Sequence, residues 1–381
     1  MYPMFYRAIA TESAIELDLE ALLDQPYLTQ GSPGIGGVAK SVPQDFIVEE
    51  IPLYELSGEG EHVWIKIRKT ALDAQSLADL VAEKTGVTRH EVGFAGLKDK
   101  SAVTTQWFSV HHHTLDPQSL IGPWGESVEV LEATRHTNKL KVGHLVGNRF
   151  TLTIRHVDPE RIDDGAKIIE TIRASGVPNY FGPQRFGSGR RTFWQGWNAI
   201  TKGQLAPHLR KNKRLRSLSL SAVQSAVFNY IVAQRIAGGT FTSALVGDIL
   251  EKAEGGLARV DAENQAEWSD AVARGLATPT GPMMASRMLR ATDEVADMES
   301  RAVALFGLDE AMFERRRGDL RGERRPLSVR VEDLTYDAVQ EDVVRVGFSL
   351  PSGSYATVLL RELMKNDHYN GPSTESLPAH A

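Results

Sequence analysis

The sequence predicts an α+β protein of two domains, one of which is formed by both ends of the chain. Segments with the two-residue alternation of strands dominate the first half and return after Leu327. Between them lie helical patterns separated by loops rich in glycine and proline. A chain of 381 residues is long enough for two domains. We therefore assign residues 1–174 and 330–381 to a discontinuous first domain and residues 175–329 to a second domain inserted into it.

The first half of the chain is predicted to consist mainly of strands with two clear helices. A polar segment with a short helical pattern covers 12–24, and a loop covers 30–37. Strands are predicted over 45–50, 62–68 and 102–110 and as a run of strands over 126–157, and helices over 72–86 and 159–174. Alternation places Phe46 and Val48 on the same face of their strand. Gly86 stands where a glycine typically ends a helix.

The middle of the chain is predicted to be helical, and its end returns to strands. The clearest helix, 217–236, carries a broad apolar stripe that indicates core packing. Further helices are predicted over 261–275 and 292–317, with the Gly/Pro segment 278–282 between them as a loop. Strand segments over 328–331, 343–348 and 350–357 and a helix over 358–364 complete the pattern.

Composition limits the chemistry that is open to this protein. The chain has no cysteine, which excludes disulfides, thiolate metal sites and a cysteine nucleophile. Its net charge of −6 disfavours nonspecific coating of nucleic acid but permits a local basic face. No apolar run approaches the ~20 residues that span a bilayer. Residues 1–24 lack the apolar core of a signal peptide, so we expect a cytoplasmic protein.

Asp99 lies at the centre of the stretch with the strongest functional signal, GFAGLKDKSAVTTQ at 93–106. Two glycines before Asp99 permit tight backbone, and the β-branched and aromatic residues after it predict a strand. A carboxylate on a loop that enters a strand is held by a rigid scaffold, as catalytic groups often are. The simpler interpretation is a surface turn in which Lys98, Asp99 and Lys100 form a solvated charge cluster.

Three consecutive histidines, His111, His112 and His113, raise the question of a metal site. On extended backbone, successive side chains point to alternating faces, so the three rings do not easily converge on one ion. We therefore predict a loop in which these histidines have separate hydrogen-bonding roles, and no metal site.

Positive charge is concentrated in three clusters and in one loop. The clusters lie within 135–149, 210–216 and 315–325, and the loop 176–192 adds glycines, prolines and aromatic residues to its arginines. The loop matches neither a Walker A motif nor a dinucleotide fingerprint. Its composition suits stacking and phosphate contacts on single-stranded RNA. Structural packing of the loop and solvated faces for the clusters are the alternatives.

Four stretches of the chain resemble the TruD family of RNA pseudouridine synthases. They occur in family order over most of the chain, and GLKDK before AVT is the most specific of them. The stretches are KSVPQDFIVEE at 40–50, GFAGLKDKSAVTTQW at 93–107, VGNRF at 146–150 with VPNYFGPQRFG at 177–187, and LPSGSYATVLLREL at 350–363. Residues 240–325 carry the least resemblance.

This resemblance implies that Asp99 is the catalytic carboxylate of an enzyme that isomerises uridine to pseudouridine. The base is detached at N1 from ribose C1′, turned over and rejoined through C5, and bacterial members act on tRNA at uridine 13. The implied fold is a catalytic domain with a mixed, largely antiparallel sheet, circularly permuted relative to other synthases, plus an inserted α/β domain. The expected partner is tRNA. No cofactor, metal, membrane or obligate protein partner is expected.

The resemblance also implies a set of substrate-binding residues. Phe46, Phe150 and Tyr355 match family positions in uridine binding, and aromatic faces suit a base that has left its stack. Asn148 matches the position that hydrogen-bonds near the catalytic Asp, although its Gly-Asn pattern alone indicates an ordinary turn. The family commonly has Phe where this chain has Tyr355, and the added hydroxyl needs a partner.

Four cations, Lys40, Lys98, Arg149 and Arg185, are expected to contact RNA or its phosphates. Lys98 adjoins Asp99 and has a second candidate role, which is to lower the pKa of that carboxyl. Asp99 could act as a nucleophile at the sugar or the ring, or as a base at C2′, and the sequence leaves these roles open.

Three other functions compete with this one. The first is the same isomerisation on a different RNA, and the second is an RNA-binding protein without catalysis, against which the intact Asp99 and Asn148 argue. The third is an unrelated hydrolase built on Asp99, which would require a second carboxylate or a metal ion that the motif does not supply.

Overall fold

The structure is a computed structural model that describes residues 18–96 and 98–370. Residues 12–17 of the predicted N-terminal helical pattern lie outside the described residues, as does Leu97 of the GLKDK motif. The strands are β1 (Gly36–Ala39), β2 (Phe46–Pro52), β3 (His62–Thr70), β4 (Gly93–Phe94), β5 (Val103–His111), β6 (Gly122–Pro123), β7 (Val128–His136), β8 (Leu145–Val157), β9 (Val177–Pro178), β10 (Ile249–Lys252), β11 (Leu257–Arg259), β12 (Ala277–Met283), β13 (Glu323–Pro326), β14 (Ser328–Val329), β15 (Glu332–Gln340) and β16 (Val343–Pro351). The helices are α1 (Leu19–Leu22), α2 (Ala74–Thr85), α3 (Ile162–Ser175), α4 (Arg191–Thr201), α5 (Pro207–Lys211), α6 (Lys213–Ala237), α7 (Gln265–Ala273), α8 (Asp293–Leu305), α9 (Glu310–Glu314) and α10 (Ala356–Met364).

The described residues divide into two compact units. The sheet unit comprises Thr29–Val177 and the chain from Val329 onward, and the inserted unit comprises Pro178–Ser328 and the chain up to Leu28. The sequence-based division instead placed the segment before Leu28 with the first domain. Residues 18–28 belong to the inserted unit, where the Gln25 amide donates to the Phe181 carbonyl at 3.1 Å. The Tyr180 hydroxyl also donates to the Pro26 carbonyl, at 3.4 Å.

The sheet unit is built on one large mixed sheet. Its strand order is β15-β16-β8-β2-β5-β3-β7-β6, with β1 also paired to β8 and β4 also paired to β5. The β2–β5 pair is parallel. The other pairs in this sheet are antiparallel. This arrangement confirms the predicted α+β class with a mixed, largely antiparallel sheet.

Helix α2 packs on one face of β3, β5 and β7, and its ends agree with the predicted helix. The Asp73 carboxylate caps it by accepting from the Gln75 and Ser76 amides, and Gly86 ends it with φ +70°. Leu77, Ala78 and Val81 are fully buried in the shared core, together with Ile65, Ile67 and Phe108 of the sheet. Burial of each large apolar side chain contributes about 1.5–3 kcal/mol relative to exposure.

Strand register places the predicted site residues on one face of the sheet. Across β2 and β8, Val48 lies opposite Phe150 and Glu50 opposite Asn148. Across β8 and β16, Phe150 lies opposite Phe348. Because side chains alternate along a strand, Phe46, Val48 and Glu50 point to one side, and their partners on β8 point to the same side.

The inserted unit contains the long helix α6 and a four-stranded sheet of order β11-β10-β12-β13. Strand β12 includes the segment 278–282, which the sequence-based prediction treated as a loop. Prolines fit this strand because each half is paired on one side only. Residues 277–279 pair with β10, and residues 280–283 pair with β13.

The helix predicted over 292–317 is two helices, α8 and α9. Gly307, with φ +66°, lies in the turn between them, a conformation that glycine adopts readily. Among the described residues, no helix is both long and apolar enough to cross a membrane.

Candidate active site

Asp99 lies on the loop between β4 and β5, where the sheet unit presents it to solvent. Its side chain is 38% exposed. The Ser101 amide donates to Asp99 Oδ1 at 3.0 Å, which fixes the carboxylate against its own loop. Strand β5 begins at Val103, so the predicted loop-to-strand arrangement is confirmed.

Lys40, at the end of β1, forms an ion pair with Asp99. Its ammonium lies 2.7 Å from Asp99 Oδ2 and 4.0 Å from the centroid of the Phe46 ring. Burial raises the pKa of Asp99, but the hydrogen bond and charge of Lys40, the Ser101 amide and the charge of Lys69 outweigh burial, so the net pKa is lowered. Asp99 therefore stays ionised at neutral pH.

The backbone around Lys40 is both strained and anchored. Lys40 has φ +55°, a left-handed conformation that costs a non-glycine residue about 1–2 kcal/mol. The turn that follows it is held by Asp45, which accepts from the Val42 amide at 3.1 Å and from Arg155 at 2.8 Å. This anchoring holds Lys40 and Phe46 on either side of the turn in a defined geometry.

Lys69 supports the Asp99 loop from beneath and was not identified from the sequence. Its fully buried ammonium donates to the carbonyl of Asp99 and, more weakly, to the carbonyls of Lys100 (3.3 Å) and Ala102 (3.4 Å). Burial lowers the pKa of Lys69 to about 8, against the opposing charges of Asp99 and Asp73. The signal was present in the sequence: Lys69 continues the inward-facing series of Val63, Ile65 and Ile67 in β3.

Lys98 does not contact Asp99, although the two are adjacent in sequence. Its ammonium lies 2.8 Å from Glu50 Oε2, and the two side chains are 6% and 1% exposed. The other Glu50 oxygen accepts from the Trp107 amide at 3.2 Å. The predicted role of Lys98 in lowering the pKa of Asp99 is therefore filled by Lys40 and Lys69, since the Lys98 ammonium is directed to Glu50.

Three phenylalanine rings form a continuous apolar wall beside the ion pair. Phe46 meets Phe150 edge to face at 6.2 Å, and Phe150 stacks on Phe348 at 5.2 Å. Phe46 and Phe150 are 5% and 7% exposed, so the core fixes them and leaves a small part of each accessible. Phe348 was not predicted as a site residue, although it lies in the alternating strand predicted over 343–348.

Asn148 and Tyr355 differ in how well the structure defines their roles. Asn148 lies on the same sheet face as Phe150, and its buried Oδ1 atom has no hydrogen-bond partner among the described residues. Tyr355 is half-buried at the N-terminus of α10. No hydrogen bond joins its hydroxyl to a residue of 18–96 or 98–370.

Arg149 and Arg185, the remaining predicted cations, have other partners. Arg149 follows Asn148 in β8, so it points to the opposite face of the sheet, where it lies 3.6 Å from Asp333. Arg185 belongs to the inserted unit. Its guanidinium donates to the Ser221 hydroxyl at 2.9 Å and to the Ser225 hydroxyl at 3.1 Å.

Much of the clustered positive charge has internal partners. Arg316 donates to the Ala199 carbonyl, and Arg324 forms a buried ion pair with Glu299 at 2.7 Å. Four exposed cations of the 210–216 cluster, by contrast, have no ion-pair partner among the described residues: Arg210, Lys211, Lys213 and Arg214. Of the three basic clusters, this one offers the most available charge.

The described residues contain one group of three side chains with the donors to hold a metal ion: Glu61, His111 and His113. This group lies at the far end of β5 from Asp99. The three histidines do not all converge, as predicted, because His112 is directed elsewhere, but alternation brings His111 and His113 together, which the prediction did not consider.

Comparison with known proteins identifies the family. The chain matches the family model for tRNA pseudouridine synthase D (TruD) over residues 22–206 and 206–363. It is 40% identical over 351 residues to the tRNA pseudouridine synthase D of Anaeromyxobacter dehalogenans (strain 2CP-C), covering 91% of this chain and 98% of the relative. A Thermus thermophilus protein of the same name is 36% identical over 357 residues, covering 93% of this chain and 96% of the relative.

The fold matches as well. The solved structure of a putative tRNA pseudouridine synthase D from Methanosarcina mazei aligns with a TM-score of 0.76 and 24% identity, covering 92% of this chain and 98% of that one. The chain therefore belongs to the TruD family. This membership confirms the predicted family and the predicted enzyme class, an RNA pseudouridine synthase.

Proposed function

We propose that this protein converts uridine to pseudouridine in tRNA, at position 13, with Asp99 as its single catalytic carboxylate. The observation that carries the proposal is the ion pair between Lys40 and Asp99, which are 2.7 Å apart while Asp99 remains 38% exposed. Membership of the TruD family supports the reaction and the tRNA substrate. We place the reaction in the cytoplasm, in the sheet unit, and without an obligate protein partner.

The lowered pKa of Asp99 suits the chemistry of this isomerisation. The N1–C1′ bond breaks, a C5–C1′ bond forms, the proton on C5 is lost and N1 gains a proton, so the atoms balance without a co-reactant. A carboxylate that stays ionised can attack C1′ or the ring as a nucleophile, or take a proton from C2′ as a base. A protonated carboxyl could do neither. Burial raises the pKa of Asp99, but Lys40, the Ser101 amide and Lys69 outweigh burial and lower it further below neutral pH.

The surroundings of Asp99 suit a flipped-out uridine. The base must leave its stack before a protein carboxylate can reach C1′. The Phe46 and Phe150 rings provide an apolar wall for it. The Asn148 Oδ1 atom, buried and without a partner among the described residues, is an acceptor for the N3–H group of the uracil ring.

The electrostatics of the site disfavour the two rival classes. A hydrolase with paired carboxylates needs one acid with a raised pKa, whereas the pKa of Asp99 is lowered. A protein that only bound RNA would gain nothing from an exposed carboxylate, which repels phosphate. The remaining alternative, the same isomerisation on a different RNA, is distinguished by the test below.

The test measures pseudouridine in unmodified tRNA transcripts that carry either uridine or cytidine at position 13. The wild-type protein is compared with Asp99→Asn and with Asp342→Asn, a control that alters an exposed carboxylate paired with His156 on the same sheet. Wild type and Asp342→Asn should convert only the uridine transcript. Asp99→Asn should lose about 10³-fold or more in rate and retain RNA binding.

Each other result has a defined meaning. Pseudouridine at another position, or in another RNA only, would replace the substrate and keep the reaction. Binding without conversion by any variant would favour a non-catalytic RNA-binding protein. Conversion by Asp99→Asn at the wild-type rate would overturn the assignment of Asp99.

A further inference from the structure

Glu61, His111 and His113 form a cluster of metal-ligating side chains outside the proposed active site. One donor atom from each residue lies within 4.8 Å of the others. Strand β5 runs from Val103, near the Asp99 loop, to His111. The eight steps from Val103 to His111 span about 27 Å of strand, so this cluster takes no part in the proposed uridine chemistry.

Local backbone geometry explains why two of the three histidines converge. His111 and His113 are two positions apart, so extended backbone directs them to the same side, and their ring centroids are 4.6 Å apart. His112 is directed elsewhere, and its Nδ1 atom accepts from the Leu115 amide at 3.0 Å. Alternation therefore excludes His112 from the cluster and brings its two neighbours together.

Hydrogen bonds fix the backbone on both sides of this cluster. The His112 amide donates to the Glu61 carbonyl at 3.0 Å, which joins the segment before β3 to the end of β5. The Arg135 guanidinium donates to the carbonyls of His112 at 2.7 Å, His113 at 3.0 Å and Leu115 at 2.6 Å. Because the backbone is already ordered, only side-chain rotation is required to bind an ion.

The donor atoms are close to the spacing that a tetrahedral ion requires. With zinc–ligand distances of about 2.0–2.1 Å, adjacent ligands lie about 3.4 Å apart. His111 Nε2 lies 3.4 Å from Glu61 Oε2, and His113 Nδ1 lies 3.9 Å from Glu61 Oε1. All three side chains are exposed, so they can rotate through the small remaining distance.

The nearby charges are mixed. Glu61 supplies the negative charge of the cluster itself. Hydrogen bonds from Thr88 lower the pKa of Glu91, and the charges of His111 and Lys139 add to this effect, so a second carboxylate and an ammonium lie near the site, along with the Arg135 guanidinium. Glu61 and Glu91 balance the charges of Lys139 and Arg135, so the attraction for a cation comes from the donor atoms of the cluster itself.

We propose that Glu61, His111 and His113 bind one divalent transition-metal ion of the zinc class, with water completing the coordination. Two imidazoles and one carboxylate are the donor types that this class of ion accepts. The ion would join the segment before β3 to the end of β5. It would therefore stabilise the edge of the sheet and would not act on uridine.

The test uses full-length protein without a polyhistidine tag, titrated with zinc chloride by calorimetry at pH 7.5 in a buffer that does not bind metal. Wild type should bind one ion per chain with a Kd on the order of 10 μM. His111→Ala and His113→Ala should each weaken binding by about tenfold or more. His112→Ala and His90→Ala serve as matched controls and should bind as wild type does.

Two further measurements separate a built site from scattered surface binding. Cobalt bound to wild type should show the visible absorption of a tetrahedral site, and the double variant His111→Ala, His113→Ala should not show it. Zinc should raise the Tm of wild type and His112→Ala and leave that of the double variant unchanged. Non-saturable binding, or equal Kd values in wild type and the double variant, would refute the site.

Discussion

Two carboxylate–cation pairs in this molecule have similar contact distances but very different exposure. Asp99 and Lys40 in the sheet unit lie 2.7 Å apart, and Asp99 is 38% exposed. Arg235 and Asp248 in the inserted unit lie 3.1 Å apart, with side chains that are 1% and 0% exposed. Both Asp248 oxygens accept from Arg235, and the Leu245 amide adds a further bond at 2.8 Å.

The comparison shows that an ion pair alone does not identify a reactive carboxylate. The acceptor positions of Asp248 are filled by the protein, and its side chain is buried. Its role is therefore structural, within the inserted unit. Asp99 accepts from Lys40 and from the Ser101 amide, and its exposed surface leaves acceptor capacity for a substrate. Exposure and unused bonding capacity separate the two.

The largest effect on stability is expected from Arg235→Met. This change leaves Asp248 buried without a counter-ion, which should lower the free energy of unfolding by about 3–5 kcal/mol. Urea unfolding followed by circular dichroism measures the loss. The double variant Arg235→Met, Asp248→Leu should recover most of it, because no charge is then left buried. A loss below about 1 kcal/mol in the single variant would contradict the comparison.

Lys40→Met should have the opposite profile, with a large loss of activity and a small loss of stability. Without the Lys40 ammonium, Asp99 loses the hydrogen bond and the charge that orient its carboxylate and lower its pKa, and kcat/KM for pseudouridine formation should fall about 10²-fold. The free energy of unfolding should change by less than about 1 kcal/mol. Lys167→Met, which removes an ammonium 2.8 Å from Asp164 in the same unit, is the control and should keep full activity.

A smaller effect is expected on the pH dependence of the reaction, through Lys69. As pH rises through about 8, its pKa, Lys69 loses the charge that acts on Asp99 and one of the N–H donors that hold the loop. Activity should therefore fall about tenfold between pH 7 and 9. Lys69→Met should be less active at pH 7 and lack this alkaline decrease.

The free energy of unfolding should not fall together with activity between pH 7 and 9. The pKa of Lys69 is about 8 in the folded state and 10.5 as the ordinary value, so between these values the unfolded state binds more protons. The contribution of Lys69 to stability therefore increases with pH in this window. A wild-type activity profile that stays flat to pH 9, or a fall matched by unfolding, would rule out this role.

The sequence was sufficient for the parts of the site that depend on local pattern. Alternation identified β3 and β5 and placed Phe46 and Val48 on one face, and the family motif indicated Asp99. The motif also indicated Asn148 and Phe150, which strand register then places on that same face.

The missing parts depend on strand pairing across long sequence separations. Lys40 and Asp99 are 59 residues apart and meet because β1 pairs with β8, while β2 pairs with both β8 and β5. Such pairings are tertiary outcomes that no local pattern encodes. Adjacency in sequence suggested a contact that does not form. Lys98 is next to Asp99 in sequence, yet its ammonium is directed to Glu50.

The left-handed backbone of Lys40 places thermal stability and catalytic activity in conflict at one position. Glycine adopts φ near +55° without the penalty that lysine carries, so replacement by glycine should make the fold more resistant to heat. It would also remove the ammonium that orients the Asp99 carboxylate and lowers its pKa. A selection for thermal stability alone would favour glycine at this position and yield a thermostable enzyme with little activity. Directed evolution of this synthase therefore has to score product formation together with survival at high temperature.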